Sequence, residues 1–149
     1  MNCHLYLRGS AVYLPTMGKM GEGFYRGVEP VTVVSASDID GIRKALRETI
    51  ARGNPVVPIL RRSEIPPPVL LKHARVKNWS AFERGLAFWT IKEKDGVFQI
   101  AGQSKRTDGG WRADPDRTID FPPNSTTADV IDRTIAIMLE EAAKNRKRL

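Results

Sequence analysis

The stretch Thr118–Arg133, TIDFPPNSTTADVIDR, passes from a β-prone segment through two prolines and a Ser/Thr cap into a helical pattern. The same order occurs near the front, where Pro30–Ile50 reads PVTVVSASDIDGIRKALRETI. Val31–Val34 is a continuous β-branched apolar run, the pattern of a strand covered on both faces. Ser37 or Asp38 suits the N-cap, because a short side-chain oxygen accepts from a free amide of the first turn. Ile39, Ile42, Ala45, Leu46, Thr49 and Ile50 then keep to i, i+3, i+4, i+7 spacing. In the later unit the helix starts at Thr126 or Thr127, with Asp129 in the capping position. It buries Val130, Ile131, Ile135, Met138 and Ala142, and Leu139 widens the stripe. The chain reads as two related strand-to-helix units.

Outward from these units, most of the remaining order is strand. His4–Arg8 and Ala11–Leu14 are β-prone runs separated by Gly9-Ser10, a hairpin signal, and Pro15 is read as the end of the second. Gly18, Gly21, Gly23 and Gly27 punctuate a loop that displays Phe24-Tyr25-Arg26. Gly53-Asn54-Pro55 stops the first helix through a left-handed cap and a residue that cannot continue it. Five prolines lie between Pro55 and Pro68, so this segment is an irregular crossover with a stiff end at Pro66-Pro67-Pro68. Val69–Ala74 is a short helix with Pro68 at its first turn. Ser80-Ala81-Phe82-Glu83 has the form of a capping box. A hairpin at Leu86–Ser104 turns through Lys94-Asp95-Gly96. The loop Lys105–Asp116, with Asp108-Gly109-Gly110-Trp111 at its tip, leads into the strand at Thr118–Phe121. The fold class is α+β: a mostly antiparallel or mixed sheet with two main helices packed on it.

Composition narrows the function. At 149 residues the chain is read as a single domain, 1–149, with a basic C-terminal tail at 145–149. Hydrophobic content of 41% and charged content of 28% suit a globular protein rather than a disordered one. No apolar run approaches the roughly 20 residues of a bilayer span. The first residues, MNCHLYLR, lack a basic leader followed by an apolar stretch, so the expected compartment is the cytoplasm. A lone cysteine, Cys3, forms neither an internal disulfide nor a zinc site. The net charge of +7 invites nucleic acid as a partner. Four of those charges (Lys144, Arg146, Lys147, Arg148) crowd the C-terminus, and without them the remainder is +3 (7 − 4). A solvated tail that suits the negative end of a helix dipole is the better account of them.

No catalytic constellation emerges. His4 and Cys3 are neighbours in a strand and point to opposite faces, so they share no metal and no proton. His73 lies between Lys72 and Arg75, poor company for a cation. Gly18–Gly23 has the glycines of a phosphate loop but lacks the Lys-Ser/Thr close and the helix after it. Asp108, Asp114 and Asp116 flank Trp111 and Arg112 without a fourth ligand, and Pro115 among them is turn chemistry. Trp111 at the tip of a Gly-Gly turn has two readings: a lid folded back on the sheet, or an anchor offered to a partner. No enzyme activity, cofactor or metal is expected.

The ordering of Tyr13-Leu14-Pro15, Gly23-Phe24-Tyr25-Arg26, Ala45-Leu46, Trp79-Ser80-Ala81-Phe82-Glu83, Gly109-Gly110-Trp111 and Phe121-Pro122-Pro123 resembles one family. It is the CdiI-type immunity proteins of bacterial contact-dependent growth-inhibition systems. The resemblance implies a cytoplasmic α+β protein, a monomer that forms a 1:1 complex with the C-terminal toxin domain of a cognate CdiA exoprotein. Such toxins are commonly nucleases, and inhibition is by occlusion, with no catalytic residues to carry over. On the residues themselves, the candidate toxin-binding set is Phe24, Tyr25 and Arg26 with Lys105, Arg106, Trp111 and Arg112. Both segments are glycine-flanked and rich in aromatic and Arg side chains. The rival reading is a small RNA- or DNA-binding regulator that uses Arg61-Arg62, Lys105-Arg106 and the basic tail.

Overall fold

The computed structural model describes residues 1–147. Six strands form one antiparallel sheet: β1 (Asn2–Arg8), β2 (Ala11–Lys19), β3 (Tyr25–Ser35), β4 (Ala87–Lys94), β5 (Val97–Lys105) and β6 (Trp111–Asp120). Their order across the sheet is β3-β2-β1-β4-β5-β6. Each half of the chain is a three-stranded meander followed by a long helix, α1 (Ile39–Arg52) in the first and α4 (Thr127–Lys147) in the second. The halves join where β1 pairs with β4, in the register Cys3↔Ile91 to Leu7↔Ala87. The two strand-to-helix units of the sequence therefore occupy the two opposite edges of a single sheet.

Alternation along the strands divides the core in two. Cys3, Leu5 and Leu7 of β1, with Trp89 and Ile91 of β4, face α1 and α4. There they meet Ile42 and Leu46 from one helix and Val130, Ile131, Ile135 and Met138 from the other. Tyr6, Tyr13 and Phe88 face the other way, against α2 (Leu70–Ala74) and α3 (Trp79–Phe82). That second cluster is aromatic: Tyr6 stacks on Phe88 at 4.4 Å, and Phe82 meets Tyr6 and Tyr13 edge-on at 5.9 and 5.5 Å.

The helix starts follow their local chemistry. Asp38 caps α1 by accepting from the Gly41 amide at 2.9 Å. Thr126 and Asp129 form a reciprocal box at the start of α4, each side chain accepting from the other's amide at 3.1 and 2.9 Å. The Asp95-Gly96 turn has φ of 53° and 79°, the left-handed pair that a tight hairpin needs.

Several sequence expectations are corrected. β2 does not end at Pro15 but continues to Lys19, because the ladder with β3 shifts register between Pro15 and Thr16. Glu29 and Pro30 of β3 fall within that shift, and a proline without an amide is tolerated where pairing is already broken. Val31–Val34 is not covered on both faces: it belongs to an edge strand, and Val33 is 45% exposed. Ser80 does not cap a helix. Asn78 does so, accepting from the Ala81 amide at 2.9 Å, and Glu83 closes the far end of α3. Most of Lys105–Asp116 is strand rather than loop, the connection shrinking to residues 106–110. The last helix runs past Ala143 to Lys147, with Arg146 and Lys147 exposed as a solvated tail requires, while Arg148 and Leu149 lie outside the described residues.

Candidate functional site

The nominated residues occupy two places. In the β2–β3 connection, residues 20–24 are closed by the Met20 amide donating to the Phe24 carbonyl at 2.8 Å. Phe24 is 67% exposed there, whereas Tyr25 and Arg26 already belong to β3 and are half-buried. Lys105, Arg106, Trp111 and Arg112 sit at the β5–β6 turn, Lys105 and Trp111 as a cross-strand pair. The β2–β3 turn and the β5–β6 turn lie at opposite ends of the strands and near opposite edges of the sheet. Five inter-strand spacings separate β3 from β6, about 24 Å before any offset along the strands. The fold does not bring the two segments together.

At the β5–β6 corner Trp111 folds back on the sheet. Its ring meets Phe88 edge-on at 6.0 Å, and its indole donates to Glu83 Oε2 at 3.0 Å. Lys105 Nζ donates to the other oxygen, Glu83 Oε1, at 2.6 Å. These two donors hold the Glu83 carboxyl below its ordinary range, Lys105 contributing most. Gly109 and Gly110 both take positive φ, 89° and 72°, which lets the loop turn within five residues. Arg106 is engaged with Asp108 at 2.9 Å, and Arg112 is exposed.

The β2–β3 corner holds a cleft. Residues 55–57 run beside the end of β2: the Lys19 amide donates to Pro55 O at 2.8 Å, and the Val57 amide to Lys19 O at 3.0 Å. A Cβ on Gly18 would stand 2.6 Å from Val57 Cγ1, so glycine is what admits the approach. The crossover then straps over the aromatic face of the sheet with Ile65–Pro68. Between strap and sheet lies a cleft of about 480 Å³, whose walls include Met17, Tyr25, Arg26, Pro67, Leu70 and Trp79. On the other side of the same prolines is a second cavity of about 540 Å³, reaching Glu29, Lys72 and Lys77. Arg26 lines both, and its Nε is buried without a hydrogen-bond partner among the described residues.

The titratable groups around the cleft are set by burial and pairing. His4, on its floor, contacts Tyr6 Oη at 3.2 Å, and burial with the nearby Lys92 charge lowers its pKa to about 4, leaving it neutral. Glu29 at the outer end accepts from Lys72 at 2.8 Å and from His73 at 2.7 Å, which lowers its pKa to about 2. Cys3 points into the opposite core, where burial raises its thiol to about 12, far from a reactive thiolate. Asp114 accepts from Ser104 and Asp108 pairs with Arg106. Among the described residues no three His, Cys, Asp or Glu side chains converge on a point where a metal ion would sit. No helix among them is long and apolar enough to cross a membrane.

What the sequence reading missed is the strap. Its prolines signalled stiffness, yet nothing local indicated that they would wall a cleft against Arg26. The partners of Glu83 were equally hidden, because the residue looked like part of a capping box.

No protein-family model matches the sequence, and no curated protein matches it. Solved structures share the fold. A protein of unknown function from Neisseria meningitidis is similar with a TM-score of 0.63 at 12% identity, 93% of each chain being covered. A chain of the CdiA-CT/CdiI toxin and immunity complex from Yersinia pseudotuberculosis is similar with a TM-score of 0.63 at 11% identity. That likeness covers 94% of this chain and 95% of the other. At these identities the likeness is one of fold.

Proposed function

We propose that this chain is an immunity protein, which binds the C-terminal toxin domain of a CdiA-type exoprotein in the cytoplasm and neutralises it by occlusion, with no chemistry of its own. The observation that carries the reading is the fold likeness, nearly end to end, to a chain of a toxin and immunity complex. The order of short motifs along the sequence supports the same family independently of the coordinates. The toxin is proposed to be a nuclease, and the complex to be 1:1.

The two nominated segments enter the proposal as alternative patches. A standard interface covers about 800 Å² per partner, too little to bury corners so far apart. We place the contact at Phe24, Tyr25 and Arg26, where an exposed aromatic stands beside a preformed cleft. Lys105, Arg106 and Arg112 form the second patch, in which Trp111 serves mainly to hold the hairpin to Glu83.

The test is co-expression with the C-terminal domain of a large exoprotein encoded beside this gene. Relief of growth arrest and a 1:1 complex on a sizing column are expected. Persistent growth arrest with no complex would sink the reading. Tight RNA binding whose affinity falls steeply with salt would favour the nucleic-acid regulator instead.

A further inference from the structure

The two cavities flanking the strap share Arg26, Gly27 and the Pro66–Pro68 wall, so together they make one trough divided by stiff backbone. Proline fixes φ, and a run of three resists collapse, which keeps the trough open without a ligand. The inner cavity is walled mainly by apolar and aromatic groups, among them Met17, Leu70 and Trp79. Its volume of about 480 Å³ lies in the usual range for a ligand pocket.

Arg26 stands at the junction of the two cavities. Its Nε is buried with no acceptor among the described residues. An unmet buried donor is costly, and an arriving acceptor restores the missing bond. The acid that lines the same trough is already engaged: Glu29 accepts from Lys72, from His73 and from the Val31 amide. Lys72 and Lys77 add positive charge to the outer cavity, where Glu29 is the one acid in the wall. The trough is thus apolar in its inner cavity and cationic where Arg26, Lys72 and Lys77 line it.

We propose that the trough receives an extended acidic segment of the toxin, an aromatic side chain entering the Trp79 cavity while the carboxylate of the adjoining residue pairs with Arg26. This rests on the immunity reading for the identity of the partner, though the recognition chemistry follows from the trough alone. A planar guanidinium at the junction suits a carboxylate, since it can donate two parallel hydrogen bonds. The aromatic neighbour is held by burial against Met17, Leu70 and Trp79.

The experiment has two arms on the full chain. In the first, isotope-labelled protein is titrated with the capped dipeptide acetyl-Phe-Asp-amide and with its Asn analogue, following the Trp79 indole and Arg26 Nε–Hε signals. Saturable shifts at both signals with the Asp probe are expected, with about tenfold weaker response to the Asn probe. Arg26→Gln should remove the difference between probes while its thermal melt stays near that of the parent. Equal response to both probes, or shifts confined to other residues, would overturn the proposal. In the second arm, Arg26→Gln should weaken toxin binding by about tenfold or more, with Arg47→Gln on the exposed face of α1 nearly unchanged. Full toxin affinity in Arg26→Gln would overturn the trough as receptor and leave the immunity function standing. If the parent protein binds no toxin, the immunity reading falls, and the dipeptide arm still decides the trough.

Discussion

Glu83 shows how much a single side chain can join. Its two carboxylate oxygens accept from Lys105 and from the Trp111 indole, tying α3 to a hairpin more than twenty residues later. The carboxylate is only 12% exposed, so water does not replace those bonds cheaply. Glu83→Ala should therefore lower stability by about 1–3 kcal/mol, read as a shift in urea midpoint at unchanged slope. Equal stability would show that the hairpin is held by Phe88 packing alone. His4 gives a second prediction at this scale. Its pKa is about 4 in the folded chain, against about 6.5 when free. The unfolded state binds the extra proton between those values, so stability falls as pH drops from 6.5 to 4, by up to about 2–3 kcal/mol. Glu29 titrates in a lower window. Its depressed pKa contributes stability above about 4.5 that is lost as pH falls towards 2. Melting curves of His4→Gln should lose the upper window and keep the lower one.

Secondary-structure elements were legible where neighbours in sequence decide them. The stripes of α1 and α4, a cap at Ser37 or Asp38 that the structure gives to Asp38, and the Asp95-Gly96 turn all rest on contacts within four residues. Ile135 and Met138 lie in the helix-side core at 4% and 0% exposure, as the apolar spacing of α4 requires. Ile135→Ala should cost roughly 2–5 kcal/mol, and an unchanged urea midpoint would contradict that burial. Strand ends were less legible. Pro15 looked like a terminator because a proline cannot donate to a ladder, yet the partner strand breaks register at that point and the strand continues. Gly18 belongs to the same lesson. It looked like loop punctuation, but it sits in β2 where Val57 packs at a distance that leaves no room for a Cβ. Gly18→Ala should destabilise by about 1–3 kcal/mol, measured by thermal or urea melting, since the β-branched Val57 yields poorly.

At the scale of the molecule, the two meander–helix halves build the helix-side core jointly rather than having one each. Leu5 and Leu7 of the first half pack with Trp89 and Ile91 of the second, and α1 meets α4 directly, with Arg43 reaching Asp132 at 3.2 Å. A fragment of residues 1–54 should accordingly fail to fold by itself, giving narrow amide dispersion and no cooperative melt. A well-dispersed spectrum would mean that the repeat is an independent unit. The sequence by itself determined the strand-rich α+β class, the two long helices, their caps and the duplicated order, because propensity and periodicity act between residues close in the chain. Only the tertiary structure decided that β3 and β6 are edges and that the two nominated segments lie at opposite corners. It also decided that Trp111 turns inward to Glu83 and that Ile65–Pro68 walls a cleft beside Arg26. Those outcomes depend on the β1–β4 pairing, which joins residues 80 to 90 positions apart, and no local pattern of side chains encodes which distant strand will supply the partner.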